Sequence, residues 1–258
     1  MNIAFKEYGS GNAVILLHAF PLSRKMWQPQ IEALTAANFR VITPDLRGFG
    51  DNDSFADINT MEDMARDIAE LTDTLKIEKA IFGGLSMGGY ILFNFFRLFP
   101  EKIAALVFAD TNSAADTEQK REGRFDLIEN IEQNGAQALI DEMLPNLVSN
   151  YTKNNNQELL SEIEKMFREV NPKAAIAALR GMAERQDHSD CLSEISLPTL
   201  LIFGEDDKVT NLEIAREMDQ KIPNSKLEII KNAGHYSNLE QPESFNSVLV
   251  DFCQTIEF

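Results

Sequence analysis

Ser86 stands in Gly84-Leu85-Ser86-Met87-Gly88, with Gly83 before that run and Gly89 after it. A serine hydroxyl can attack an acyl carbon, but near neutral pH it is a poor nucleophile. It needs a base, and the base needs an orienting acid. The glycines bear on the same chemistry. Glycine in a regular element costs about 0.5–1 kcal/mol relative to alanine, so four within seven residues mark backbone with no room for a Cβ. An apolar run precedes the serine and a helical pattern follows it. The chain is therefore expected to turn sharply from strand into helix, with Ser86 strained at the tip. Gly84 and Gly88 should lie against neighbouring backbone, and the helix N-terminus should face the reacting group.

The chain has three histidines from which to choose a base. His235 lies in Asn232-Ala233-Gly234-His235-Tyr236, between the last strand-like run and the last helical one. His188 lies in the polar run Asp187-His188-Ser189-Asp190 and reads as a solvated surface residue; His18 ends an early strand. For the acid, Asp207 in Gly204-Glu205-Asp206-Asp207 is the first choice and Asp206 the next, while Asp110, after another strand, competes with Asp207. Two backbone N–H groups should hold a developing oxyanion. Met87 offers one, and Phe20, in Leu17-His18-Ala19-Phe20-Pro21, is the best candidate for the other.

Such a constellation needs strands that end at one edge. Val14–Leu17, Arg40–Thr43, Ala80–Gly83, Ala105–Phe108, Thr199–Phe203 and Leu227–Ile230 read as buried strands, with Ile3–Tyr8 as an edge strand. Helical patterns cover Trp27–Ala37, Met61–Leu75, Met87–Leu98, Leu212–Lys221 and Glu243–Ile256. This alternation implies an α/β architecture, a mostly parallel sheet with helices on both faces. From about 114 to 190 no strand pattern occurs, and apolar residues recur at helical spacing, as in Leu159, Ile163 and Phe167. We read residues 1–113 and 191–258 as two parts of one core and 114–190 as a helical lid between them. Within the lid, Asn150–Gln157 reads as a loop and Pro172 as the start of a helix. Trp27, Leu144 and Met182 are candidate pocket residues with Phe20 and Met87. Arg124, Arg180 and Arg185 could meet a substrate carboxylate, though solvated surface positions are the default for arginine.

Beyond the elbow, Leu16–Ser23 (LLHAFPLS), Trp27, Pro44–Gly50 (PDLRGFG), Gly84–Gly89 (GLSMGG), Pro198–Thr210 (PTLLIFGEDDKVT) and Asn232–Phe245 (NAGHYSNLEQPESF) follow one another in an order that resembles the α/β-hydrolase superfamily. Nearly the whole chain is covered. The resemblance is nearest to the small bacterial branch of 3-oxoadipate enol-lactonases, carboxylesterases and cofactor-free haloperoxidases. It implies Ser86, Asp207 and His235 as a triad, in the chain order nucleophile, acid, histidine, which leaves His18 aside. It implies Phe20 and Met87 as the oxyanion hole, and no metal or organic cofactor. His18, Asp45, Arg47, Gly48 and Gly50 then hold loops around the cleft. Ala19 replaces the usual glycine and Asp51 the usual serine; neither change touches the triad. Serine at position 86 argues against the related dehalogenases and epoxide hydrolases, which use aspartate there.

Composition bounds the partners. With 24 Lys and Arg against 41 Asp and Glu, the formal charge is −17. That disfavours nucleic acid and anionic membrane surfaces. No apolar run approaches the ~18 residues of a membrane span, and Met1–Ser10 lacks a leader pattern, so a cytoplasmic setting is expected. Cys191 and Cys253 sit in no metal-binding spacing and are expected to stay unpaired. The expected activity is hydrolysis of a small carboxylic ester or lactone. The rivals are a receptor-type protein of the same fold with slow turnover, and perhydrolysis by the same triad. Oligomeric state leaves no mark in the sequence.

Overall fold

The computed structural model describes residues 3–258; Met1 and Asn2, which open the stretch read above for a leader pattern, lie outside them. Among the described residues, seven strands form one sheet in the order β1-β3-β2-β4-β5-β6-β7. They are β1 Phe5–Tyr8, β2 Ala13–Leu17, β3 Arg40–Pro44, β4 Ala80–Leu85, β5 Ile103–Ala109, β6 Thr199–Gly204 and β7 Ser225–Ile230. β1 pairs antiparallel with β3; every other pair is parallel. β2, β4 and β6 are buried along their whole length, as continuous apolar runs in a sheet covered on both faces should be. The outer strands β1 and β7 are only half-buried.

Helices α1 Gln28–Ala36, α2 Met61–Thr74, α3 Met87–Leu98, α9 Leu212–Lys221, α10 Ser237–Glu240 and α11 Pro242–Gln254 accompany the strands. Residues Arg24–Trp27 form a 3₁₀ turn just ahead of α1, so the helix expected from Trp27 begins one residue later. Thr60 caps α2 by accepting from Asp63 N–H, and the acidic residues Glu62 and Asp63 fill the first turn. α3 is buried nearly all round, and Phe93 stacks on Phe108 of β5 at 4.4 Å between ring centroids.

Five helices interrupt the chain between β5 and β6: α4 Glu118–Asn134, α5 Ala136–Leu147, α6 Asn150–Asn155, α7 Gln157–Arg168 and α8 Pro172–Ala183. The loop expected at Asn150–Gln157 is instead the short helix α6 followed directly by α7. Ser149 caps α6 by accepting from Thr152 N–H, and Asn156 caps α7 by accepting from Leu159 N–H. Asparagine and serine are poor inside helices but strong at their starts, so a polar run that looks like a loop can hold two caps. No described helix is long and apolar enough to cross a membrane.

Candidate active site

Ser86 ends β4 and opens α3 with φ 53° and ψ −110°, a conformation rarely tolerated outside glycine. Its N–H donates to Ala109 C=O at 3.0 Å, and its own C=O accepts from Thr111 Oγ1 at 2.8 Å. The surrounding sheet thus holds the strained residue from both sides. A Cβ on Gly84 would lie 2.5 Å from the Gly88 carbonyl carbon, and one on Gly88 would fall on the Leu17 carbonyl. The turn closes only because both positions lack side chains, which is the reading the sequence suggested.

His235 reaches the same point from the loop after β7. Its Nε2 lies 2.8 Å from Ser86 Oγ and its Nδ1 2.8 Å from Asp207 Oδ2. Asp207, on the loop after β6, accepts from Val209 N–H at 2.7 Å, Thr210 N–H at 3.1 Å and Thr210 Oγ1 at 2.5 Å. Burial alone would raise the Asp207 carboxyl, but the His235 charge and these donors outweigh it and hold the group below its usual range. Burial likewise pulls the His235 imidazole down, but the neighbouring Asp207 carboxylate wins and the imidazole stands above 6.5. Both groups are shut off from solvent. In this arrangement the serine can lose its proton to a histidine whose other nitrogen is already engaged.

Asp110, the competing acid, does not face the imidazole. Its Oδ1 accepts from Gly204 N–H at 2.7 Å, and its Oδ2 takes the Ser237 hydroxyl. It thereby ties the loop of Asp207 to the helix that follows His235. Burial, and then repulsion from Asp207, push the Asp110 carboxyl well above the ordinary range. His18 is also internal. Its Nδ1 lies 3.0 Å from Ala19 C=O and its Nε2 accepts from Leu46 N–H at 3.0 Å, while burial pushes it down to about 4. Such a neutral ring braces the loop that carries Phe20. The reading of His188 as a surface residue is overturned. It is 3% exposed, its ring stacks on Phe93 at 5.8 Å, and its backbone N–H donates to Ser113 C=O at 2.8 Å. The apolar side of α3 needs covering there, and the imidazole face supplies cover.

Ser86 and His235 open into a cavity of about 440 Å³ roofed by α4, α5 and α8. Phe20 and Met182 line it. Met87 opens α3, so its N–H is among the helix's first four, which have no intrahelical acceptor. Two expected pocket residues are placed elsewhere. Trp27 is fully buried against Phe245 beneath α1, and Leu144 lines a separate outer groove between α5 and α7. Arg124, named as a candidate carboxylate contact, lines the cavity, and so do Tyr90, Val209 and Asn146, which were not singled out. Val209 adjoins Asp207 in sequence and could have been found from that position. Tyr90 lies on α3 four residues after Ser86, while Asn146 depends on how the inserted helices are laid over the sheet. Arg185 is not solvated: its guanidinium lies 4.3 Å over the Tyr90 ring.

The inserted helices are fastened to the histidine loop. His235 N–H donates to Leu147 C=O at 2.8 Å. Buried Glu240 accepts from Ser149 N–H, Thr152 Oγ1 and Gly234 N–H at 2.7–2.8 Å. This knot had no sequence signature beyond an acidic residue five positions after His235.

The sequence profile of the alpha/beta hydrolase fold matches residues 12–242. Among solved structures, a thermophilic esterase from Thermogutta terrifontis superposes with a TM-score of 0.95 at 38% identity, covering 98% of this chain and 93% of that one. The 3-oxoadipate enol-lactonase 1 of Acinetobacter baylyi is 30% identical over 95% of this chain and 90% of its own length. A Synechocystis protein provisionally named a non-heme chloroperoxidase is 28% identical over 98% of this chain and 95% of its own.

Proposed function

For a chain that belongs to the alpha/beta hydrolase fold family, as this one does, we propose the activity of a serine hydrolase that cleaves a small carboxylic ester or lactone. The observation that carries this reading is the continuous line Asp207–His235–Ser86, two contacts of 2.8 Å ending at the floor of a cavity. Ser86 Oγ attacks the carbonyl carbon as its proton passes to His235 Nε2. Asp207 fixes the tautomer with Nδ1 protonated and stabilises the imidazolium. The N–H groups of Phe20 and Met87 receive the oxyanion. The imidazolium then protonates the leaving alcohol, and a water deprotonated by His235 releases the acid from the acyl-enzyme. Every group in this sequence belongs to the chain itself. Helices α4 to α8 act as the lid that selects substrate, in a cytoplasmic enzyme.

The relatives named esterase and enol-lactonase support this class of reaction. The chloroperoxidase relative supports a second outcome, peroxide replacing water at the acyl-enzyme, with the same residues. Hydrolysis of p-nitrophenyl esters from acetate to decanoate, with simple lactones alongside, tests the proposal. The wild type should turn over the shorter esters, and Ser86→Ala should lose on the order of 10⁴-fold or more in kcat. A Ser86→Ala protein with undiminished activity would sink the scheme.

A further inference from the structure

A buried methionine that does not line the cavity reaches the loop that carries Phe20. Met26, on the 3₁₀ turn Arg24–Trp27, is fully buried. Its Sδ accepts from Ala19 N–H at 3.2 Å. A thioether is a weak acceptor, and leucine would fill the space as well. The sulfur matters because Ala19 is itself buried, and a buried N–H with no acceptor loses its hydration for nothing in return.

The N–H groups from Ala19 to Leu22 then sort themselves. Ala19 N–H goes to Met26 Sδ, and Leu22 N–H goes to Ala19 C=O at 2.9 Å. Pro21 has none. Phe20 N–H is left, with no protein acceptor among the described residues. The peptide units on either side of it are both held. The His18–Ala19 unit is held at its N–H by Met26, and the Phe20–Pro21 unit accepts at its carbonyl from Tyr236 Oη at 3.3 Å. Burial pushes the Tyr236 phenol well above its ordinary range, so it keeps its proton and donates. Met26 is tied to the same segment as Tyr236, since its C=O accepts from Asn238 Nδ2 of α10 at 3.0 Å. The stretch that carries His235 thus grips the Phe20 loop at two points.

From this geometry we infer that Met26 is a positioning residue of the oxyanion hole. Its sulfur takes the Ala19 N–H, which leaves Phe20 N–H as the loop's donor, and Asn238 registers that donor to the base. The inference rests on the hydrolase reading above and adds the part that aims its oxyanion donor.

Met26→Leu keeps the bulk and removes the acceptor. With p-nitrophenyl acetate it should lower kcat on the order of tenfold or more and leave KM nearly unchanged, because the hole binds charge that develops only in the transition state. An alkyl trifluoromethyl ketone reads the hole without turnover. Its carbonyl carbon takes Ser86 Oγ, the serine proton passes to His235, and the ketone oxygen becomes the charge to be bound. Its inhibition constant should rise in step with the fall in kcat. Tyr236→Phe, which frees the Phe20 carbonyl, should move both quantities in the same direction. Met218→Leu, the same change at a buried methionine of α9, should move neither. Unchanged kcat and ketone affinity in Met26→Leu overturn the inference. So does a loss confined to KM and thermal stability, which would make Met26 plain packing. Fluorophosphonate labelling of the wild type separates the two claims. Labelled Ser86 with ketone affinity unmoved by Met26→Leu overturns the positioning role alone; unlabelled Ser86 overturns the hydrolase reading and this inference with it.

Discussion

Two aspartates near one histidine divide their work according to what surrounds them. Asp207 is held charged by four donors and faces the imidazole; Asp110 is held towards its neutral form and ties two loops together. The base must be neutral to accept a proton, so kcat/KM should fall as pH drops through a His235 pKa above 6.5. Asp207→Asn removes the charge and replaces one acceptor oxygen with a donor, so it should move that acid limb downward and cost about 10⁴-fold in kcat; a pH–rate series on both proteins checks this. The stability effect of His235 has the opposite sign. A raised folded pKa stabilises below 6.5, and that contribution is lost as pH rises through the folded value. Asp207, depressed in the fold, stabilises above the ordinary aspartate value and loses that contribution as pH falls through its folded pKa. Asp110→Ala should strand the Gly204 N–H and the Ser237 hydroxyl, at about 1–3 kcal/mol for each buried group, and thermal melts of the variant should show it. Ser86, Asp207 and His235 stand in the sequence beside glycines and strand ends that mark them. Which of Asp110 and Asp207 faces the imidazole does not, because both follow strands and only the path of the loop separates them.

At the scale of elements, the central strands were legible because their burial is nearly uniform, and most of the helices beside them because their apolar residues recur at helical spacing. β2, β4 and β6 read as apolar runs since both faces of the sheet are covered. The inserted helices were legible as helices, but their placement was not. Leu144 and Trp27 have the apolar character of pocket residues and pack elsewhere, because amphipathic spacing says which face is buried and not what it is buried against. The join between the insertion and the core is the Glu240 knot. Its carboxylate satisfies N–H groups at the start of α6 and in the histidine loop together. Glu240→Ala should free both at once. We expect a loss of about 3 kcal/mol or more in a chemical denaturation curve. A larger fall in kcat than in 1/KM should accompany it, since the loop that aims His235 loses its anchor. Glu240→Gln, which keeps one acceptor oxygen, should recover part of each.

The whole molecule is a sheet that brings three distant stretches of sequence to one edge, under a roof built from a single insertion. Parallel strands make this possible, since the ends of β4, β6 and β7 all reach the same side. A covalent probe of serine hydrolases reads this convergence over the entire chain. Among the described residues Ser86 is the serine whose hydroxyl lies 2.8 Å from His235 Nε2, so it should be the one activated. We would treat the intact protein with a fluorophosphonate near pH 8, weigh it, and locate the adduct by peptide mapping, with Ser86→Ala and His235→Ala alongside. The account predicts one phosphonyl group per chain, on Ser86, absent from Ser86→Ala and greatly slowed in His235→Ala. An unmodified wild-type chain, or an adduct that forms as fast without His235, would contradict it.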